Sequence, residues 1–453
     1  MARRSFVKLA DRTHSGLRLP GSFTVRHHLL ALAVSLGLTL PAMAQESETP
    51  TPQSVAGELF GLANSYIGQG DHEAAKRTLE AALALKPGHP AILRGLFIVA
   101  RRAENAQDAF DALDRMVAAG LVFDASSGEE LLRAADSARF DALQAALEAN
   151  AAPVGRAERI ARIDMPDALI EGVAMDIETD RLFLSSVARR EIILLEPFAR
   201  DEPIVFADRE DGLWSVFGIA VDDRTRMVWA ASGVVPQTPL EEGEAEGTAL
   251  FAFDLMTGEL YRRYEIDGAQ QMADFVVRDG MVYVSDSRAP RVYVLNSVSG
   301  DLEVLAEDPR FVSLQGVALA RGALYVADYA MGIWRVDLGD GSVSLVRPND
   351  VSLIGIDGLL NTRDGRLVAV RNGSRPHQMM AIDLNADGTA VDNVEVLLRD
   401  HVDMTPGTEP TLVDLADGRA WLVANAAWPL FPEDGSDPEQ ERPATAILEM
   451  DLR

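Results

Sequence analysis

The amino-acid sequence predicts an α+β multidomain protein in which an α-helical repeat region precedes an all-β propeller of six blades. One short apolar stretch recurs through the C-terminal two thirds of the chain, and its copies start 46, 56, 42, 42 and 53 residues apart. The copies occupy residues 172–176, 218–222, 274–278, 316–320, 358–362 and 411–415. A strand-rich repeat of roughly 40–50 residues is typical of a propeller blade, so six copies predict six blades.

Residues 315–338 show the repeat most clearly. Three runs rich in apolar, β-branched and aromatic residues are separated by the turn-forming pairs Arg321–Gly322 and Met331–Gly332. Such runs predict short antiparallel strands joined by tight turns. Before residue 156 the apolar residues recur instead at helical spacing. This change of period from 3.6 to 2 places the domain boundary near residue 156.

Composition excludes several classes of function. The 453 residues include 42 Lys and Arg, 70 Asp and Glu and no cysteine, which gives a formal net charge of −28. Without cysteine the chain has no disulfides, thiolate metal sites or cysteine nucleophiles. A chain this acidic repels nucleic acid and anionic lipid, so we expect no nucleic-acid partner.

The first 44 residues read as a signal peptide. A basic region is followed by the 12-residue apolar run Leu29–Leu40 and by small residues up to Ala44. We predict cleavage after Ala44, export to a periplasm and no membrane span in the mature chain. The alternative is a retained membrane anchor, although the run is short for a bilayer span. Residues 45–53 are polar and proline-rich, which is typical of a flexible tether.

Residues 54–150 are predicted to form helical repeats. Large and small apolar residues such as Leu59, Ala63 and Leu79 recur at helical spacing, and Pro87 follows the second helix. The pattern continues 34 residues later, and a third helical pair is expected over 127–150. The segment resembles the tetratricopeptide repeat family. That resemblance implies a surface for a protein or peptide partner, and the alternative is a helical cap packed on the propeller.

A linker over 151–156 leads to the predicted propeller over 157–453. We assign four strands to each blade in chain order, beginning with Arg159–Ile163 as the first strand of blade one and ending with Ala446–Met450 in blade six. The repeated stretch is then the second and innermost strand of its blade. Two acidic insertions, 236–248 and 429–443, interrupt the strands. They are expected to be solvated loops or a lid over one face of the ring.

The candidate site lies where the six innermost strands begin. Residues before these strands converge at one mouth of the channel, and they are Glu171, Phe217, Asp274, Gln315, Asp357 and Glu409. Unpaired carboxylates in one small space repel each other and raise each other's pKa. A hard cation relieves that repulsion, and an oxygen-only ligand set suits calcium or magnesium. The alternative is pairing with backbone amides or with Arg288, Arg371 or Arg375.

Several of these stretches together resemble the six-bladed propellers of the gluconolactonase, regucalcin and paraoxonase-like family, the senescence marker protein type. The stretches that carry the resemblance are Ile170–Asp176, Leu314–Ala318, Leu324–Asp328 and Gly355–Leu359. The similarity runs from residue 156 to the end of the chain. It implies the propeller fold, a divalent metal at the channel mouth, with Ca²⁺ expected, and hydrolysis of lactones or related small esters.

The resemblance also implies roles for individual residues. Glu171 and Asp357 match metal ligands of the family, and Asp274 belongs to its Asn-Asp pair, in which Ala273 replaces the asparagine. With Gln315 these residues form the predicted metal set. In a lactonase of this kind the metal activates the ester carbonyl and water, and Asp357 or Glu409 acts as general base.

A second hypothesis is a non-catalytic periplasmic module that binds a ligand or protein through the propeller and the helical repeats, because propellers host both kinds of function. Four aromatic residues near strand ends are candidates for lining an apolar pocket or for packing between blades: Trp214, Phe217, Tyr329 and Trp428. His377 and His401, the propeller's two histidines, are expected in loops.

Overall fold

The computed structural model describes residues 50–296, 300–433 and 440–452. The predicted signal peptide, its cleavage after Ala44 and most of the tether lie outside the described residues, as does part of the second acidic insertion. The chain from Pro50 onward forms one compact unit. The predicted order, helices first and a propeller after them, is confirmed.

The N-terminal part is helical, as predicted. Its helices are α1 (Pro52–Gln69), α2 (His72–Leu85), α3 (Pro90–Arg102), α4 (Ala106–Ala118) and α5 (Glu129–Ala149). Thr51, Asp71 and Asn105 begin α1, α2 and α4, because each side chain accepts a backbone N–H that the first helical turn leaves free. The third pair expected over 127–150 is the single helix α5, interrupted at Asp136. No helix among the described residues is both long and apolar enough to cross a membrane.

The described residues of the propeller form 24 strands in six four-stranded antiparallel sheets. The strands are β1 (Glu158–Ile163), β2 (Ile170–Asp176), β3 (Arg181–Ser186), β4 (Glu191–Glu196), β5 (Ala199–Ala207), β6 (Ser215–Asp222), β7 (Met227–Gly233), β8 (Thr248–Asp254), β9 (Leu260–Tyr264), β10 (Met272–Arg278), β11 (Met281–Asp286), β12 (Arg291–Leu295), β13 (Leu302–Glu307), β14 (Leu314–Ala320), β15 (Ala323–Asp328), β16 (Gly332–Asp337), β17 (Val343–Leu345), β18 (Ile356–Asn361), β19 (Leu367–Arg371), β20 (Gln378–Leu384), β21 (Val391–Arg399), β22 (Val413–Ala416), β23 (Arg419–Val423) and β24 (Thr445–Asp451). The six innermost strands are those predicted from the repeat: β2, β6, β10, β14, β18 and β22, each at one end of its sheet.

The predicted grouping of strands into blades was wrong by one strand. The first blade is β2-β3-β4-β5, and in the first five blades the innermost strand comes first in the chain. In the last sheet, ordered β1-β24-β23-β22, β1 takes the place farthest from the innermost strand β22. Inside a blade every strand pairs antiparallel with its chain neighbours. The alternating strand directions therefore do not show which loops join two strands of one blade and which loops lead to the next blade. The pairing of β1 with β24, for example Ile163 opposite Thr445, closes the ring and covers an edge.

Hydrogen bonds attach the helices to the propeller. The buried guanidinium of Arg371 donates to the Gly120 carbonyl after α4 at 3.1 Å and to the Ser352 carbonyl at 3.0 Å. Arg399 donates to the Ala149 carbonyl at the end of α5 at 3.0 Å. Cations at helix C-termini meet unpaired carbonyls and the negative end of the helix dipole. The helical region therefore contacts the propeller directly, as the cap hypothesis predicts, and a protein or peptide partner stays a prediction.

Candidate site at the channel mouth

The innermost strands are distorted where the candidate residues lie. In five blades the pairing of the first two strands is irregular, between Ile170 and Val173, Val216 and Ile219, Met272 and Phe275, Leu314 and Val317, and Ile356 and Leu359. Such a bulge bends a strand and redirects a side chain. Residues in these interruptions, including Glu171, Phe217, Gln315 and Asp357, line one pocket.

In four blades a glycine directly follows the candidate site residue, and this glycine lets neighbouring blades approach each other closely. A Cβ on Gly316 would lie 2.1 Å from the backbone nitrogen of Leu359 in the next blade. In blade three Asp274 occupies the position that glycine holds in four other blades. Its Oδ1 accepts a 2.8 Å hydrogen bond from the backbone N–H of Phe275, and its side chain lies at the same pocket. Blade three therefore adds a carboxylate to the channel mouth at a position where four other blades have glycine.

The pocket encloses about 580 Å³ and brings together all six residues predicted for this mouth. Glu171, Asp274, Asp357 and Glu409 supply four carboxylates, and Gln315 supplies an amide. The Gln315 Nε2 donates to Ser313 Oγ at 3.1 Å. The structure thus places the predicted residues in one pocket, and their roles stay predictions.

The carboxylates hold protons more tightly than free side chains do. Burial, and then the charge of Asp357, raise the pKa of Glu171 well above its ordinary value. Burial raises the pKa of Asp274 to about 7, of Glu409 to about 7 and of Asp357 to about 6. The charge of Asp357 also raises the pKa of Asp274 and Glu409. The four groups therefore interact electrostatically, and a bound positive charge would favour their ionised forms.

Two side chains that lie after other strands hold the carboxylates in place. The indole Nε1 of Trp428 donates a hydrogen bond to Glu171 Oε2. The Asn372 amide donates from Nδ2 to Asp357 Oδ2 at 2.7 Å and to the Pro410 carbonyl at 3.0 Å. The Asn372 Oδ1 is buried and has no hydrogen-bond partner among the described residues. A buried acceptor of this kind calls for an explanation, and a bound ligand supplies one.

Sequence reasoning missed Asn372. It follows β19, the second strand of its blade, whereas the prediction used only residues before the innermost strand. Because the two strands are antiparallel, the end of one lies beside the start of the other. The same logic places Ser287 after β11 and Tyr329 after β15 at the pocket. A search that combines the position before the innermost strand with the position after the second strand therefore includes Asn372, Ser287 and Tyr329.

The aromatic candidates divide between the pocket and the interior. Phe217, Tyr329 and Trp428 line the pocket, as predicted. Trp214 does not, and its Nε1 donates to the Ala245 carbonyl in the first insertion at 3.0 Å. Neither propeller histidine lines the pocket; burial lowers the pKa of His377 to about 4.

The arginine alternative for the acidic site does not describe this arrangement. Among the described residues none of the four carboxylates forms an ion pair with an arginine. Arg371 donates instead to backbone carbonyls. Arg375 is close enough for its charge to lower the pKa of Glu409, but burial and Asp357 outweigh that effect.

The residues present fit a hard cation by their chemistry. All candidate donors are oxygens, several are anionic, and Asn372 Oδ1 is a free neutral acceptor. In the described parts of the chain, no three His, Asp or Glu side chains stand close enough together to form a ready-made ligand set. The fit to a cation therefore rests on the type of donor atoms and on the mutual repulsion of the carboxylates. The side chains would have to move closer to one another to bind an ion.

Comparison with known proteins gives similarity of fold. No model of a known protein family matches the chain, and no curated protein matches its sequence. A gluconolactonase structure from Xanthomonas campestris is 17% identical, covering 67% of this chain and 92% of that one, with a TM-score of 0.43. Regucalcin from Agrobacterium tumefaciens, a calcium-binding protein, is 16% identical, covering 65% and 94%, with a TM-score of 0.44.

A third solved structure carries a different activity. Virginiamycin B lyase from Staphylococcus aureus is 10% identical, covering 59% of this chain and 82% of that one, with a TM-score of 0.42. At TM-scores below 0.5 these likenesses carry no argument about what this chain does.

Proposed function

We propose that this protein is a divalent-cation-dependent hydrolase of lactones or related small esters, with calcium as the expected ion. The observation that carries the proposal is one pocket lined by four carboxylates with raised pKa values and by Asn372, whose buried Oδ1 has no partner among the described residues. Such a set is poorly satisfied by the protein itself. A cation is the simplest partner that relieves both the repulsion and the unpaired acceptor.

Glu171, Asp357 and Asn372 would hold the ion, with Asp274 and Gln315 beside them. A divalent cation bound there would supply Lewis acidity toward an ester carbonyl. The Trp428 indole and the Asn372 amide orient the first two carboxylates, because each donates a hydrogen bond to one of them. Fixing such ligands from a second layer of residues is how proteins set the geometry of a metal site.

Glu409 is our choice for general base. Its pKa of about 7 suits proton transfer near neutrality. No hydrogen bond or ion pair to its carboxylate is present among the described residues, so it is free to take a proton from an attacking water. Asp357, the other candidate from sequence, is held by Asn372 and better serves as a ligand. Phe217, Val235 and Leu412 give the pocket an apolar part that would exclude water around the substrate.

We also propose that the chain is exported to the periplasm with cleavage after Ala44, and that its helices are tetratricopeptide-like. The basic and apolar pattern of residues 1–44 supports export. The succession of α1 to α4 in two pairs, with small residues such as Ala63, Ala75 and Ala109 buried between them, supports the repeat assignment. Their partner would be a protein or peptide.

The test combines binding and catalysis. Calcium titration of residues 45–453 by calorimetry should show binding that Glu171→Gln and Asp357→Asn weaken strongly. Glu178→Gln, an exposed acid in the β2–β3 turn, is the matched control and should bind like the wild type. Calcium-dependent hydrolysis in a panel of lactones, abolished by a chelator, would establish the activity. Absence of either would overturn the proposal and favour a non-catalytic binding module.

A further inference from the structure

The charged residues of the pocket wall all have one sign. Besides the four site carboxylates, the exposed Glu433 lies at the pocket, and no Lys, Arg or His among the described residues lines it. Arg375 is the basic residue that acts on Glu409. A carboxylate- or phosphate-bearing ligand would find no compensating charge in this wall. Such a wall favours a neutral or cationic organic ligand.

A single divalent cation does not neutralise the negative charge of the pocket wall. When ionised, the four site carboxylates carry twice the charge of one divalent cation, and Glu433 adds one more negative charge. Excess negative charge in a partly buried site is unfavourable unless another positive group enters. Arg375 offsets part of this excess at Glu409. The remaining charge favours a ligand that brings a positive group of its own.

Aromatic rings stand beside these carboxylates. Trp428 and Tyr329 are half-buried and line the pocket, and Phe217 contributes a third ring. The hydrogen bond from Trp428 to Glu171 fixes the indole next to a carboxylate. Aromatic faces combined with anions attract alkylammonium groups, because the ring quadrupole and the carboxylate both favour positive charge.

The orientation of Asn372 also points to a bound ligand at this pocket, either a cation or a group with N–H donors. Asn372 is 5% exposed, and its Oδ1 is a buried acceptor without a partner among the described residues. Both of its Nδ2 bonds are made, to Asp357 and to the Pro410 carbonyl. The side chain therefore offers the pocket an acceptor, and it suits a donor or a cation.

We propose that the organic ligand of this pocket carries an ammonium group, which sits against Trp428 and Tyr329 and is neutralised by the carboxylates. The inference rests on the proposed function in one respect, since both use the channel-mouth pocket. It deepens that function by naming the substrate class: amine-bearing lactones or esters.

The test compares probes of one shape and different charge. Binding of 2-phenylethylamine, 2-phenylethanol and phenylacetate is measured by calorimetry near neutral pH, with saturating calcium and with a chelator. We expect the amine to bind the calcium-loaded protein at least about tenfold more tightly than the alcohol, and the anion to bind worst. Equal affinity for amine and alcohol, preference for the anion, or binding of none of the three would overturn the inference.

Variants of Trp428 distinguish the contribution of its aromatic ring from that of its hydrogen bond to Glu171. Trp428→Leu should reduce the preference for the amine over the alcohol, whereas Trp428→Phe should keep most of it, because an aromatic face remains. Tyr329→Leu provides a second test if Trp428→Leu fails to fold. Unchanged preference in a folded Leu variant of either residue would contradict the aromatic contact.

The two proposals fail in different ways. Amine preference without hydrolysis of any lactone would leave this inference standing and overturn the hydrolase. Calcium-dependent hydrolysis of neutral lactones without amine preference would do the reverse.

Discussion

Asn372 donates a 2.7 Å hydrogen bond to Asp357 while its own carbonyl oxygen has no partner among the described residues. The bond lowers the pKa of Asp357, partly opposing the rise caused by burial. The Asn372 amide thus favours the ionised form of Asp357 and adds a neutral oxygen beside it. This pairing links the second strand of blade five to the start of its first strand.

Replacing Asn372 should therefore weaken calcium binding. In Asn372→Ala the pKa of Asp357 should rise, and one candidate ligand oxygen is lost. We expect affinity for calcium to fall by about tenfold or more near neutral pH, since a hydrogen bond to a charged group contributes about 1.5–3 kcal/mol. Calorimetric titration measures the change.

Asn361→Ala is the matched control. Asn361 lies at the other end of the innermost strand of the same blade and accepts a hydrogen bond from the Leu319 backbone. Its loss should alter stability but leave calcium affinity within about twofold of wild type. Equal weakening in both variants would show that the effect of Asn372 is general destabilisation.

The raised pKa of Asp274 predicts how stability depends on pH. Its carboxyl group is protonated up to about pH 7 when folded, but only to about 3.8 when unfolded. The folded state therefore binds more protons between these values, so the free energy of unfolding falls as pH rises through this window. The full shift corresponds to at most about 4 kcal/mol.

Asp274→Asn removes this titration while keeping an acceptor for the Phe275 N–H. Without calcium, its free energy of unfolding should decline less steeply than that of the wild type between about pH 4 and 7. Denaturant unfolding at several pH values measures the difference. Parallel curves for the two proteins would show that Asp274 ionises normally in the folded state.

The propeller was predictable because its signal repeats. Six copies of one innermost strand identify the ring and the residues that begin each strand, and Glu171 and Asp357 reach the pocket from there. The partners that hold these residues were not predictable in the same way. Trp428 contacts Glu171 across 257 positions of sequence, and no local pattern encodes such a contact. The pairing of β1 with β24 escaped prediction for the same reason.

The close approach of blades at the channel predicts a severe effect of Gly316→Ala. The new methyl group would meet backbone atoms of Leu359 at 2.1 Å and Asp357 at 2.6 Å, which rigid main chain cannot avoid cheaply. We expect a loss of about 3 kcal/mol or more in the free energy of unfolding, together with weaker calcium binding. Denaturant unfolding and calcium titration of the variant measure both effects.

Gly57→Ala is the comparison for that substitution. Gly57 lies inside α1, and nothing stands within 4 Å of the place that a methyl group there would occupy. Alanine has the higher helix propensity, so this variant should gain roughly 0.5–1 kcal/mol. The pair thus predicts opposite signs for the same chemical change, and a small effect of Gly316→Ala would mean that the blades pack more loosely at the channel than these distances indicate.

Closure of the ring by β1 predicts that a residue far from the C terminus stabilises the last blade. Ile163 is 2% exposed and packs in one cluster with Trp421 and Ile447. Ile163→Ala should cost about 2–4 kcal/mol by removing buried methyl groups. Hydrogen exchange should show the loss of protection first in β23 and β24, because β24 pairs directly with β1. Arg162→Ala, on the exposed side of the same strand, should change stability by less than about 0.5 kcal/mol. If Ile163→Ala instead left β24 fully protected, packing of the Ile163 side chain would not be what stabilises the last blade.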